Sequence, residues 1–332
     1  MNHTVILRET LDRKEYSEIC EFLKINNIDF STEIDYCVIL RDDSGCVVGT
    51  GAVESNVFKY IAVDDKARGY GLTGVIISEL ISYAYSRGIT NLFIYTKPEN
   101  EDVFESLGFY KIMKTDDVLL MENKRDGFTR FLDQLCLSTK TIVANDDVIG
   151  SVVVNCNPFT LGHRYLVEEA ASICTHLHIF VLGDKRSFFP PEDRMKMVVS
   201  GVSDLDNVSL HNGSEYMVSA STFPTYFRKD KCGAAKANCL LDIMIFAKLI
   251  APTLSITKRF VGTEPTCEIT GQYNVALKSE LPKYGIDVHE IERKKAMDTV
   301  ISASEVRKLY YDKNFDEIKN LVPNSTLDYL SL

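Results

Sequence analysis

The chain has 332 residues, 45% of them apolar and 25% charged. That is a globular balance, and the length accommodates two domains at roughly 150 residues each. The formal charge of −10, from 37 Lys and Arg against 47 Asp and Glu, argues against general nucleic-acid binding, which needs a basic face. It leaves an anionic nucleotide open as a ligand, because local potential decides that.

The first block, residues 1–125, reads as α/β. Ile19, Phe22 and Leu23 fall at helical spacing and predict an amphipathic helix over residues 11–26. Strands are expected at 36–41 and 47–54, joined by a turn at Asp43-Ser44-Gly45, and at 59–63. A glycine-bearing loop, Lys66-Ala67-Arg68-Gly69-Tyr70-Gly71, leads into an apolar-periodic helix over 72–86. A strand at 92–96, a short helix at 100–107 stopped by Gly108, and a strand at 109–113 complete the block. Residues 126–147 read as a connection with a short apolar helix built on Phe128, Phe131, Leu132 and Leu135.

The second block, residues 148–332, alternates strand and helix. Its first segment, 148–155, is a continuous apolar run, as expected of a strand buried on both faces. Helices at 162–171, 191–202, 234–249, 270–281 and 304–312 alternate with strands at 177–182, 208–211, 258–262 and 287–291. Such alternation predicts a doubly wound parallel sheet. No stretch has the form of a signal peptide or a membrane span, so a cytoplasmic protein without membrane or nucleic-acid partners is expected. Nine scattered cysteines with no C-x-x-C pair suit reduced thiols better than disulfides or zinc.

Asn155-Cys156-Asn157-Pro158-Phe159-Thr160-Leu161-Gly162-His163 lies where the first strand of the second block gives way to a helix. In a doubly wound sheet ligands bind beyond the carboxyl ends of the strands. Pro158 stops the strand, Gly162 lets a ligand approach the backbone, and the helix start offers unpaired N–H groups. Thr160 and His163 then stand ready to donate to phosphate oxygens, whose charge grows during in-line displacement. Alone, T-x-G-H also reads as a helix cap beside a buried histidine. A second segment, Ile301-Ser302-Ala303-Ser304-Glu305-Val306-Arg307, opens another helix and joins two hydroxyls to a guanidinium whose fork suits phosphate.

Together the two segments resemble the nucleotidyltransferase superfamily, whose motifs are written (H/T)-x-G-H and I-S-x-(S/T)-x-x-R. Thr160 stands in the place of the first His. The resemblance implies that Thr160 and His163 hold the triphosphate of ATP and that Ser302, Ser304 and Arg307 clamp it from the other side. Thr160, His163 and Arg307 are then the catalytic residues, and Asn155, Asn157, Pro158, Phe159, Gly162 and Lys185 belong to the ATP site. Gly262-Thr263-Glu264 resembles the nucleotide loop near adenine and ribose, and reads equally as a plain strand-end turn. Arg194 is read either as a phosphate contact or as a surface residue. The basic stretch Arg228, Lys229, Lys231 and Lys236 beside Tyr226 and Phe227 is either a docking patch or a solvated loop.

In the first block, Lys66 to Gly71 resembles the acyl-CoA loop of GNAT-fold acetyltransferases, (Q/R)-x-x-G-x-(G/A), with Lys66 in the Q/R place. Phe104-Glu105-Ser106-Leu107-Gly108-Phe109 resembles that fold's later motif. Lys66, Arg68, Gly69 and Gly71 are the residues this likeness assigns to an acyl-CoA-like ligand. Tyr95, Tyr110 and Glu54 are candidate bases by residue type only.

In order, length and motifs the whole chain resembles the citrate lyase ligase family, a GNAT-like α/β domain followed by a doubly wound, Rossmann-like nucleotidyltransferase domain. The stretch 155–168 and Phe223-Pro224-Thr225-Tyr226-Phe227 carry the likeness most closely. It implies an AMP-forming ligase that uses ATP with Mg2+, with no metal held by protein side chains. Acetate would be activated as acetyl-adenylate. The acetyl group would pass to the thiol of the phosphoribosyl-dephospho-CoA group on the acyl carrier subunit of citrate lyase. Two other functions share these motifs: an adenylyltransferase acting on a pantetheine-phosphate-like molecule, and an N-acetyltransferase with a nucleotide-binding regulatory half.

Overall fold

Alternation along one buried strand organises the first half of the chain. In β2 (Tyr36–Arg41) the side chains of Tyr36, Val38 and Leu40 join one apolar cluster, and those of Cys37 and Ile39 join another, as a two-residue period requires. The first cluster contains Ile76 and Leu80 of helix α2 (Leu72–Ser86), the second Ile19 and Leu23 of α1 (Arg13–Ile25). One helix therefore covers each face of the sheet. The α1 helix starts at Arg13 because Asp12 caps it, with Glu15 completing a capping box. Gly51 is needed for α2 to come close, since a Cβ there would meet Ile76 at 2.4 Å.

The described residues are 3–28, 30, 34–139, 147–183, 187–213, 215–217, 233–264, 268–296 and 299–331 of a computed structural model. The chain divides into two compact units, Met1–Phe128 with Pro224–Leu241, and Thr129–Phe223 with Asp242–Leu332.

In the first unit β1 (Thr4–Arg8), β2, β3 (Val47–Glu54) and β4 (Val57–Val63) run antiparallel. Strand β5 (Phe93–Thr96) joins β4 in parallel, and β7 (Leu119–Glu122) and β6 (Tyr110–Lys114) follow, giving the order β1-β2-β3-β4-β5-β7-β6. The short helix α3 (Glu101–Ser106) precedes β6. Only Val57↔Phe93 and Phe58↔Ile94 pair β4 with β5, so the two strands part beyond Phe58. A mixed sheet that opens between two parallel strands, with a glycine loop at the start of α2, is the GNAT-like fold expected. The helices and strands expected between residues 11 and 113 are present within a few residues. Strands β1 and β7 are additions: β1 is an edge strand held only by β2, and β7 is too short for its four buried residues to show a period.

After α4 (Gly127–Leu137), the second unit is built on a parallel sheet. Its strands are β8 (Ile149–Val154), β9 (His176–Leu182), β10 (Val208–Gly213), β11 (Lys258–Gly262) and β12 (Asp287–Ile291). Helices α5 (Leu161–Ile173) and α6 (Pro191–Gly201) connect the first three strands. Helix α7 (Gly233–Ile245) continues through a π-helical turn, Phe246–Ile250, into α8 (Ala251–Thr253), and α9 (Glu268–Glu280) precedes β12. A two-residue hairpin of β13 (Lys295–Ala296) and β14 (Thr299–Val300) leads to α10 (Ala303–Tyr311), α11 (Phe315–Ile318) and α12 (Asn324–Leu330). The sheet order β10-β9-β8-β11-β12 makes this a doubly wound, Rossmann-like sheet, with β8 at the point where the order reverses.

The two faces of this sheet differ. One is apolar: Val152, Val154, Leu177, Ile179, Val181 and Phe260 pack with Val167 of α5, Met197 of α6 and Val306 of α10. The other carries Ser151, His176, His178, Ser209, His211 and Arg259, all buried, and the parallel register sets Ser151 beside both His178 and Arg259. Hydrogen bonds satisfy the imidazoles: His176 Nε2 with Ser209 Oγ at 2.9 Å, His178 Nδ1 with His211 Nε2 at 2.8 Å, and His211 Nδ1 with Ser138 Oγ at 2.9 Å. The cysteines among the described residues are free thiols. No helix among those residues is long and apolar enough to cross a membrane.

Burial pushes His178 down to about 3 and His211 to about 4, with neighbouring imidazoles reinforcing both, and burial lowers His176 as well. An unfolded His takes its proton near about 6.5, so between that pH and about 4 the unfolded chain binds more protons. Stability is then lost as pH falls through this window. Thermal unfolding followed at pH 7, 6, 5 and 4.5 should show the second unit melting at progressively lower temperature. A midpoint unchanged from pH 7 to 5 would show that these histidines are not held neutral.

Candidate nucleotide-binding site

A cavity of about 520 Å³ opens at the reversal point of the parallel sheet, where loops leaving β8 and β11 diverge. Its walls come from those two loops, the segment after β12, helix α9 and the start of α10.

The β8 loop turns abruptly. Cys156 has φ 49° and the Asn157-Pro158 bond is cis. Phe159 is fully buried, and Thr160 then caps α5. His163, at the third helical position, completes the cap: its N–H donates to Thr160 Oγ1 at 3.3 Å, and its Nδ1 accepts from Thr160 N–H at 3.1 Å. Because Nδ1 is an acceptor, the neutral ring carries its proton on Nε2. Burial, with the nearby Arg293 charge, pushes His163 down to about 4. The ring lies nearly parallel to Phe159, 16° between planes at 6.0 Å, and lines the cavity. It is a fixed, uncharged N–H donor.

The first turn of α5 holds one more donor. Leu161 N–H goes to the Leu321 carbonyl at 2.9 Å, and His163 N–H is spent on Thr160. Gly162 N–H has no such bond among the described residues, and Gly162 lines the cavity. A Cβ at 162 would lie 3.5 Å from the Ile301 carbonyl oxygen, so the starts of α5 and α10 are close together. Ser302 caps α10, and Ser302 and Ser304 line the cavity. Arg307 reaches back across, donating to the Asn157 carbonyl at 2.6 Å and to Ser304 Oγ at 2.9 Å. The I-S-x-S-x-x-R segment thus meets T-x-G-H at Gly162 and Ile301, and Arg307 ties it to the loop just before.

Asn155 lines the cavity, and its carbonyl and Oδ1 accept from Arg194 at 2.6 and 2.5 Å. Arg194 is fully buried and also donates to the Phe189 carbonyl. It is neither a surface residue nor a group facing the cavity: it holds the loop from behind. Asn157 is buried and accepts from Phe189 N–H at 3.0 Å. Asn157, Pro158, Phe159 and Arg307 do not line the cavity. On the β11 side Gly262 and Glu264 do. Thr263 N–H donates to the Ile291 carbonyl, Thr263 Oγ1 accepts from Arg293 N–H, and Glu264 pairs with the Arg293 side chain. Lys185 and the stretch 223–232 lie outside the described residues, and nothing is described of the Lys236 side chain.

The first unit has its own cavity, of about 1000 Å³, where β4 and β5 part. Arg68, Gly69 and Gly71 line it, and so does Tyr95, while Lys66 does not. Gly69 and Gly71 have φ of 85° and 74°, the left-handed region that a loop of this shape needs glycine to enter. Glu54 is tied to the buried Lys59, and Tyr110 is exposed on β6.

Residues 149–330 match the citrate lyase ligase C-terminal domain family. A [citrate [pro-3S]-lyase] ligase of Haemophilus influenzae is 40% identical over 329 residues, 97% of this chain and 97% of that one. The chain belongs to the citrate lyase ligase family. It is an enzyme of the ligase class. Among solved structures, an acyl-CoA N-acyltransferase from Pseudomonas aeruginosa is 12% identical and covers 37% of this chain and 100% of its own, with a TM-score of 0.31. Thermotoga maritima TmcAL bound with alpha-thio ATP is 16% identical over 55% of each chain, with a TM-score of 0.33.

Sequence reasoning did not find Arg293, Asp242, Arg259 or Tyr273, all of which line the second-unit cavity. Arg293 sits in a charged run that reads as solvated. Asp242 stands inside an apolar run, which is the signal that could have marked it, whereas Arg259 follows Thr257 and Lys258 and reads as the polar start of a strand.

Arg194→Ala should remove about 3 kcal/mol or more of stability, because it strips charged donors from buried carbonyls. Urea unfolding of the variant checks this, and parental stability would mean the loop is held without Arg194.

Proposed function

We propose that the second-unit cavity binds ATP and activates acetate as acetyl-adenylate, and that the acetyl group is then delivered to a carrier-borne thiol of citrate lyase. The observation that carries the reading is the pair of donors, His163 Nε2–H and Gly162 N–H, fixed at one helix start and facing the start of a second. Family membership supplies the class of reaction.

In this reading the triphosphate lies across the starts of α5 and α10, with the nucleoside toward Gly262 and Glu264. An acetate oxygen bonds to the α-phosphorus while the bond from that phosphorus to its bridging oxygen breaks, and pyrophosphate leaves with the electron pair. No protein nucleophile is needed; positioned donors meet the charge that develops on the phosphate oxygens. Among the described residues no group of three metal-ligating side chains forms. Mg2+ brought in with the nucleotide would supply neutralisation of the phosphate charge. The carrier thiolate then attacks the acetyl carbonyl, and AMP departs. We assign the phosphoribosyl-dephospho-CoA arm of the acyl carrier subunit to the first-unit cavity, where the N–H groups of the Gly69–Gly71 loop suit a pyrophosphate. The reaction is placed in the cytoplasm.

Acetate-dependent exchange between ATP and labelled pyrophosphate tests the reading without the carrier. Exchange that needs acetate is the expected result, and exchange indifferent to it would remove acetate activation. His163→Ala should fold normally and lose about two orders of magnitude in exchange rate, as for other transition-state donors. Full activity in a folded variant would show that His163 plays no part in the chemistry.

A further inference from the structure

One side chain in the second unit is buried with donors that no neighbouring acceptor among the described residues meets. Arg259, on β11, is 4% exposed. Its Nε and Nη1 are buried without a hydrogen-bond partner, and no ion pair to it forms among the described residues. Its neighbours do not supply one. The guanidinium carbon lies 4.7 Å from the centroid of the Phe246 ring. Asp242, the nearby carboxylate, is bonded to the Tyr273 hydroxyl instead. Unmet donors on a buried cation cost several kcal/mol, and native interiors rarely leave them so.

Arg259 also lines the cavity that His163 lines. Phe246, Asp242 and Tyr273 stand near it, and the same cavity is lined by these three and by the apolar Leu277 and Val261. An occupant therefore meets a guanidinium fork and an apolar wall together. The fork matches an oxyanion. The apolar wall suits a short alkyl group better than a second charge. Asp242 is raised to about 6, because burial outweighs the Tyr273 bond and the Arg259 charge; it stays largely ionised at neutral pH, so the oxyanion is placed on the side of the guanidinium away from it.

We infer that Arg259 is the anchor for the carboxylate of the acid substrate, with its methyl group toward Phe246 and Leu277. This rests on the acetate reading above and adds to it the place where acetate is recognised. A phosphate of the nucleotide or of the carrier arm shares the oxyanion chemistry, and the test separates these sources.

Arg259→Met replaces the cation by an apolar chain of similar length. The acetate KM in pyrophosphate exchange should rise about tenfold to a hundredfold, the usual worth of a charged hydrogen bond, while the KM values for ATP and for the carrier stay unchanged. Without ligand the variant should melt no lower than the parent, because removing a buried unpaired charge relieves a cost. Adding guanidinium to Arg259→Ala should restore part of the lost acetate affinity. An unchanged acetate KM, a rise confined to ATP or to the carrier, or a fall in melting temperature with no change in acetate KM would overturn the assignment. Acetate binding to ATP-free protein, read by saturation-transfer NMR, separates the two readings. If the parent binds acetate, Arg259→Met does not, and the parent shows no exchange, the reaction is lost and the anchor stands. If the parent exchanges with acetate and the variant matches it, the anchor is lost and the reaction stands.

Discussion

Arg307 donates to the Asn157 carbonyl at 2.6 Å across 150 residues of sequence, and the geometry of the cavity follows from that bond. It ties the β8 loop to the start of α10, and that loop leads into the Thr160 cap that orients His163. Arg194 secures the same loop from behind through the Asn155 and Phe189 carbonyls. Neither arginine lines the cavity. Their contribution is to hold donors in place before any ligand arrives, so that none of the reorganisation falls on the reacting state. A loop made only of Asn, Pro and Thr would have buried carbonyls to satisfy and no charge to satisfy them with.

His163 shows what such fixation does to a titratable group. Its Nδ1 is committed to the Thr160 backbone, which leaves Nε2–H as its only donor, and burial with the nearby Arg293 disfavours the imidazolium. A neutral donor attracts an incoming phosphate less than a cation would. It also keeps the same form across the physiological range, so its alignment does not depend on the proton concentration. The buried imidazoles of β9 and β10 obey the same physics on the sheet face that carries Arg259, but there the partners are serines and each other.

The two motifs could be read in the sequence because each is local: a cap, a glycine and a donor within one helical turn. The parallel sheet was legible for the same reason, since each of its strands is a short apolar run between helices. What could not be read depends on distant partners. Arg194 looked equally like a surface residue, because nothing in its own helix shows that the Asn155 carbonyl lies 2.6 Å away. His176 and His178 alternate with Leu177 and Ile179, and that period marks a strand with one polar buried face only once β10 supplies Ser209 and His211. Strand β1 depends wholly on β2 for its partner. Arg293 was hidden by its charged neighbours, and its role comes from Glu264, on another strand-end loop.

That last pair bears on how an acidic chain can hold a polyanion. Glu264 is almost fully buried and paired with Arg293, so releasing the guanidinium to a phosphate would cost that buried pair. Arg293 is therefore only partly available, and Arg307 is turned toward Asn157 and Ser304. The local field at the cavity is less positive than a count of arginines suggests. In the proposed reading, hydrogen-bond donors and two helix starts meet most of the triphosphate charge, together with the magnesium proposed to travel with it. Dipoles of this kind act over about one helical turn, and the Gly162–Ile301 contact brings the α5 and α10 starts close enough for both to act on one ligand in that reading.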